Sequence, residues 1–253
     1  MRGFEEHSDS DMVDGTKSKR PGHVMTAGKE WTGVRKIEWV QKELGEGYSQ
    51  LAMETSRCLR WIELGGNATV ARSAHRDGDW GGLTMGVHNQ LTIVYPTVHD
   101  PQSLITEALH STQCWSYGQN HEWKKPRRDT GLFRYDRDNN DKSTMGNRRV
   151  GRLLLLFKTE DPRSGAMEEL SLAYVQWFKT LNLDKHTGMY RVRKTDNFEV
   201  VEIDTVERGA HLIPCFTGLA TEMASSSCPP SLDVYADFWL NNQIDNHMYN
   251  TIY

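Results

Sequence analysis

The sequence has no run of about eighteen apolar residues, and its opening, MRGFEEHSDSDMVDG, holds no apolar core of the kind a secretory signal carries. Neither a membrane span nor a leader is expected, which points to a soluble intracellular protein. Cysteine is scarce: Cys58, Cys114, Cys215 and Cys228 lie far apart. No Cys-x-x-Cys spacing spells out a zinc knuckle or a thioredoxin-type site, so reduced thiols are expected. An excess of one charge is also missing, since 30 Lys and Arg stand against 34 Asp and Glu for a net charge of −4. That balance excludes a polycation that coats nucleic acid along its whole surface, and any basic surface must be local.

Catalytic signatures are lacking as well. There is no G-x-S-x-G elbow, no H-E-x-x-H and no phosphate-binding G-x-x-x-x-G-K-[ST]. His75, Asp77 and Asp79 in AHRDGDW lack the later glutamate that a calcium loop needs for bidentate ligation, and read as a solvated turn. His121-Glu122 and Asp245 with His247 are weaker groupings still. Asp136, Asp138 and Asp141 in YDRDNNDKS have no apolar neighbours to push their pKa values apart. They read as a surface hairpin loop, in which Asn139-Asn140 accepts left-handed turn geometry. No catalytic residue, metal, cofactor or small-molecule substrate is expected.

What remains is a chain of 253 residues, 37% apolar, long enough for a folded unit with a modest core. Residues 1–30 are polar and read as a disordered tail. Residues 31–82 carry KIEWVQKEL and SQLAMETSRCLRWIEL, where Leu51, Thr55, Leu59 and Ile62 recur at helical spacing before Gly65-Gly66. Two short helices and a glycine-rich loop are expected there. Residues 83–253 change to short strands: LTIVYP, TGLFRY, VGRLLLLFK, LAYVQWFKT, GMYRVRK, FEVVEID and AHLIPCF. Without long helices between them, they predict a mainly β (α+β overall) protein with a small antiparallel barrel-like sheet.

Facing can be read within two runs. LAYVQWFK is apolar on both alternating faces, as a central strand requires. GMYRVRK puts Met189, Arg191 and Arg193 on one face against Tyr190, Val192 and Lys194, and reads as half-exposed. Trp177-Phe178 and His211-Leu212-Ile213-Pro214 read as core strands, with Pro214 as a strand end. Asn241, Asn242 and Asp245 read as turn formers that tie down the C-terminus. The cations Arg152, Lys158, Lys179 and Lys194 end the apolar runs, where strands leave the sheet.

The strongest local charge lies between Lys124 and Arg152. Ten cations, Lys124, Lys125, Arg127, Arg128, Arg134, Arg137, Lys142, Arg148, Arg149 and Arg152, face four acids, Asp129, Asp136, Asp138 and Asp141, for a local +6. Beside Trp123, Phe133 and Tyr135 this is a candidate nucleic-acid-binding surface, with KKPRR as a candidate nuclear address; an ordinary solvated loop is the alternative. A second candidate is an aromatic cage for a methylated lysine, built from Tyr174, Trp177, Phe178, Tyr190 and Trp239, with a strand core as the plainer reading.

The series RVGRLLLLFK, LAYVQWFKT, GMYRVRK, VVEIDTVERGAHLIPCF and SLDVYADFWLNNQIDNHMYNT resembles the C-terminal domain of transposon-derived proteins of mushroom-forming fungi, the Plavaka-like transposase group. The resemblance runs over residues 88 to 253 through Val150, Leu154, Phe157, Tyr174, Val175, Trp177, Phe178, Gly188, Met189, Tyr190, Val192, His211, Leu212, Ile213, Pro214, Phe216, Phe238, Asn241, Asp245 and Tyr249. It implies that catalysis would belong to a ribonuclease-H-like nuclease core with acidic metal ligands. This chain shows no βαβ succession to house one. A weaker similarity is to bromo-adjacent homology modules, which are barrel-like chromatin binders. The expectation is a non-enzymatic module that contacts DNA or chromatin; an enzyme remnant without its catalytic core and an inert folded relic are the alternatives.

Overall fold

The computed structural model describes residues 22–26, 33–65, 83–97, 100–112, 115–117, 122–124, 126–134, 145, 147–161, 168–216 and 231–243. Its centre is three long strands, β10 (Arg148–Glu160), β11 (Glu169–Leu183) and β12 (Tyr190–Glu202), paired antiparallel. The first two carry the longest apolar stretches of the sequence because the sheet is covered on both faces there, and every side chain from Ala173 to Phe178 is buried. The central placement expected of LAYVQWFK is found.

The sheet continues on one side through β9 (Thr130–Arg134) to β13 (Val206–Gly209), and on the other through β15 (Asp237–Leu240) to β14 (Leu212–Pro214). Near the far end of β10 it is joined by β3 (Thr84–His88), which pairs in turn with β2 (Val34–Lys36). A second sheet runs in the order β1 (Gly22–Thr26), β4 (Gln90–Pro96), β5 (Leu104–Thr112) and β8 (Arg127–Arg128). The short strands β6 (Trp115–Tyr117) and β7 (Glu122–Lys124) pair with each other. The result is a mainly β protein whose antiparallel sheet curls into a half-barrel, as expected from the strand series.

Two faces of the central strands meet two different layers. On one, Leu154, Phe157, Leu172, Tyr174 and Val200 pack against α1 (Ile37–Leu44) and α2 (Leu51–Glu63) through Ile37, Val40, Leu51, Cys58 and Ile62. Both helices occupy the expected stretch; Leu51, Thr55 and Ile62 are buried, and Leu59 packs against the same cluster. Gly65 ends α2 in the left-handed region at φ 65°, where glycine carries no Cβ penalty. On the other face, Leu153, Leu156, Val175 and Trp177 pack against Leu91, Ile93 and Leu109 of the second sheet. A third cluster, Val150, Phe178, Tyr190, Val192, Phe238 and Leu240, closes the end at β15. Each large side chain so buried contributes about 1.5–3 kcal/mol of transfer free energy.

Several expectations are corrected. Residues 22–26, assigned to the tail, form β1, which pairs with β4 from Gly22 opposite Val94 to Thr26 opposite Gln90. The rest of residues 1–30 lies outside the described residues. GMYRVRK and FEVVEID belong to one strand, β12, rather than two. The intervening Thr195-Asp196-Asn197 reads as a turn by composition, yet Thr195 Oγ1 donates to the Trp177 carbonyl at 2.7 Å and Gln176 Nε2 donates to the Thr195 carbonyl at 2.9 Å. These bonds hold a bulge in register, so the strand bends without ending. His211 is exposed and Leu212, Ile213 and Pro214 are only partly buried. They form an edge strand rather than a core one, the position where a proline without an N–H is tolerated. The half-exposed reading of GMYRVRK holds: Tyr190 and Val192 are buried while Arg193 is exposed.

Asn242 is buried and donates through Nδ2 to the Gly188 carbonyl at 2.7 Å, and the Asn241 side chain meets His211 Nδ1 at 3.2 Å. Both tie the last described turn to the sheet; Asp245 lies outside the described residues.

Candidate functional site

The arginines of the basic stretch are set by strand pairing. Arg134 closes β9 and Arg148 opens β10, and the ladder places them directly opposite each other. Like charges in that position repel. Glu207 of β13 lies beside both, with Oε2 at 2.6 Å from Arg148 Nε and Oε1 at 3.4 Å from Arg134 Nε. Arg149 sits next to them on β10, opposite Phe133. Arg127 forms a forked pair with Asp129 at 3.0 and 3.1 Å, and Asp129 also accepts from the backbone and ring of His110. Lys124 lies in β7, and Lys125 lies outside the described residues together with Arg137 and Lys142.

Arg152 departs from expectation. It stands within β10 rather than at a strand end, it is 4% exposed, and its Nη1 donates to Asp233 at 2.6 Å. Lys158, Lys179 and Lys194 are also interior to their strands, because the backbone ladder runs past the last apolar residue of each run. Lys158 pairs with Glu169 at 2.8 Å across β10 and β11. Lys194 Nζ donates to the carbonyl of Leu232 at 2.8 Å, on the short helix α3 (Ser231–Val234) that carries Asp233. Arg128 lies over the Tyr48 ring with its guanidinium carbon 5.7 Å from the centroid.

Three cations therefore surround one carboxylate. Burial pushes the Asp233 carboxyl up, yet the hydrogen bond and charge of Arg152, then the charges of Arg128 and Lys194, bring it below the usual carboxylate range. Lys194 is lowered, first by burial and then by Arg152. The Nε atoms of Arg128 and Arg152 are buried and have no hydrogen-bond partner among the described residues. Neither Glu207 nor Asp233 was singled out from the sequence. Each lies far along the chain from its arginine, with no local pattern to mark it.

The aromatic cage is not assembled. Tyr174 is fully buried between Tyr48 and Phe198, with centroids 5.8 Å from each. Trp177 belongs to the opposite face, edge-on to Phe133 at 5.1 Å, with Nε1 donating to Glu199. Phe178 and Tyr190 lie in the third cluster, and Trp239 stands on β15 opposite Ile213 and Arg191. Tyr174, Trp177, Phe178 and Tyr190 fill separate parts of the core and Trp239 is half-buried outside it, so no methylammonium group could meet them together.

His75, Asp77, Asp79, Asp136, Asp138 and Asp141 lie outside the described residues, as do His121 and His247. Among the described residues no group of three or more His, Cys, Asp or Glu side chains is placed to hold a metal ion. No helix among them is long and apolar enough to cross a membrane. Cys58 and Cys215 are buried. An open depression between α1 and the turn that follows it is lined by Glu38, Gln41, Lys42, Gly45, Glu46 and Ser49, polar and without an aromatic floor.

The fold and these contacts define a mainly β half-barrel with arginines at the β9–β10 end and a group of cations, Arg152 buried and Arg128 and Lys194 half-buried, beside α3. No family model, curated protein or solved structure matches the chain.

Proposed function

We propose that this chain is a non-enzymatic binding module, derived from a fungal mobile element of the Plavaka-like transposase group, that contacts nucleic acid or chromatin through the arginines around β9 and β10. The observation that carries this reading is the Arg134–Arg148 pair. Two guanidinium groups share one carboxylate at the end of a rigid ladder. Arg127 and Arg134 have side chains 60% exposed, and their forked donors suit phosphate oxygens.

The resemblance supports a scaffold role for its motif residues. Val150, Leu154, Phe157, Tyr174, Val175, Trp177, Phe178, Tyr190 and Val192 are all buried, so what they specify is the sheet on which the arginines stand. Nuclear targeting through KKPRR belongs to the same reading.

The test is binding of a short fluorescent duplex and its matching single strand across a salt series, beside the double variant Arg134→Ala, Arg148→Ala. Affinity that falls steeply with salt, and a shallower slope in the variant, are expected. Absence of binding at low salt would remove the nucleic-acid reading and turn attention to histone-tail or protein partners.

A further inference from the structure

A second electropositive centre lies away from the Arg134–Arg148 pair. Arg152 is buried on β10, its ladder neighbour across β11 is Gln176, and Lys194 of β12 reaches α3 on the same side of the sheet. Arg128 reaches this side from β8, lying over Tyr48. The apolar clusters flank the group: Leu154 and Tyr174 belong to the helical side, and Val150 and Phe178 to the β15 end. Arg152 is buried and Arg128 and Lys194 are half-buried, and cations withdrawn from water in this way call for matching negative charge. Asp233 supplies one carboxylate, bound to a single nitrogen of Arg152. Two guanidinium Nε donors, those of Arg128 and Arg152, stay without an acceptor among the described residues.

Asp233 is also the one partner that can leave. Its side chain is 39% exposed although that of Arg152 is 5% exposed, and it rides on a helix of four residues. The cations, by contrast, stand on the paired strands β8, β10 and β12.

We propose that Arg128, Arg152 and Lys194 form a binding site for a dianionic phosphate monoester, and that Asp233 closes it as an internal stand-in for that ligand. A monoester carries about two negative charges near neutral pH and three acceptor oxygens. It satisfies the free fork of Arg152, the Nε donor of Arg128 and the ammonium of Lys194 together, which one carboxylate cannot. A nucleic-acid diester carries one charge per phosphate on a bulky backbone, and is a poorer match for a buried site. The ligand is thus a small phosphorylated molecule, distinct from the polyanion proposed for the surface arginines.

The experiment is a titration of the full chain with inorganic phosphate at constant ionic strength, read by thermal melting and by the arginine Nε–H resonances. Asp233→Asn removes the competing charge, and its phosphate affinity is expected to exceed that of the unaltered protein by about tenfold or more. Adding Arg152→Gln to that variant abolishes the gain. A titration with phosphoserine should follow the phosphate curve, whereas a short oligonucleotide without a terminal phosphate should not. Equal affinity in the Asp233→Asn variant and the unaltered protein would overturn the proposal. Where Asp233→Asn fails to fold, the unaltered protein decides. Saturable shifts of the Arg128 and Arg152 Nε–H resonances with phosphate support the site, and shifts that match those in sodium chloride of the same ionic strength overturn it. Because Arg134 and Arg148 take no part, failure here leaves duplex binding untouched.

Discussion

Arg134 and Arg148 stand opposite each other in the β9–β10 ladder and reach the same carboxylate, Glu207, at 3.4 and 2.6 Å. The acid screens a like-charge pair that the register forces together. Glu207→Gln should therefore raise duplex affinity and steepen its salt dependence, while lowering thermal stability because the two guanidinium groups then repel. Fluorescence anisotropy across a salt series reads the first effect and melting the second. Unchanged affinity would show that this end of the sheet does not meet phosphates.

Gly151 faces Trp177 across the β10–β11 ladder, and a Cβ there would run into the Val175 side chain and come within 2.9 Å of the Phe133 ring. These neighbours are packed and cannot yield cheaply. Gly151→Ala is expected to destabilise the protein by about 1–3 kcal/mol, measurable as a lower urea midpoint with an unchanged slope.

Two buried tyrosines make a paired test. Tyr48 donates its hydroxyl to the Leu154 carbonyl at 2.9 Å, whereas the Tyr174 hydroxyl has no hydrogen-bond partner among the described residues. Burial, followed by the charge of Glu54, pushes the Tyr174 pKa well above its ordinary value, so the hydroxyl stays neutral. Tyr174→Phe should change stability by less than about 1 kcal/mol or raise it, and Tyr48→Phe should cost about 1 kcal/mol. Chemical denaturation of the two variants side by side checks the order.

Asp237 of β15 receives Arg193 and Arg191 of β12, with Arg193 Nε at 2.6 Å. The Arg193 hydrogen bond, followed by Arg191 and the two charges, outweighs burial and brings its pKa down to about 2. A depressed folded-state pKa gives stability that is present above the unfolded value and lost as pH falls through the folded one. The contribution should thus be whole above about pH 4–5 and fade toward pH 2. Asp237→Asn should lower stability at neutral pH by about 1–2 kcal/mol, allowing for solvent around Arg193, and should flatten the acid limb of a melting-against-pH curve.

The parts of the fold that were legible in the sequence are those whose own side chains carry the signal. LLLLF in β10 and LAYVQWF in β11 are apolar on both faces because both faces are covered, and α2 shows its buried stripe at Leu51, Thr55 and Ile62. Strands held by their neighbours were not legible. GHVMT of β1 is short and polar-flanked, and its order comes from five pairings with β4. Thr195 to Asn197 has turn composition, and only the Gln176 and Thr195 bonds from across the ladder keep it extended. The site divides in the same way. The arginines were visible as local charge, but their partners Glu207 and Asp233 lie 59 and 81 residues away from Arg148 and Arg152, and pairing at that distance is decided by register.

Across β13, β9 and β10 the ladders align Gly209 with Gly131, and Gly131 with Gly151. The lane gives an evolutionary assay of usefulness. Every single-nucleotide missense change in a glycine codon introduces a side chain. At Gly151 it would meet Val175, at Gly131 the Phe133 ring at 3.2 Å, and at Gly209 the Glu107 carboxylate. Where the folded product is not needed, these codons drift as fast as any surface position. Where it is needed, the lane stays bare while exposed positions such as Val24 and Phe216 accumulate changes.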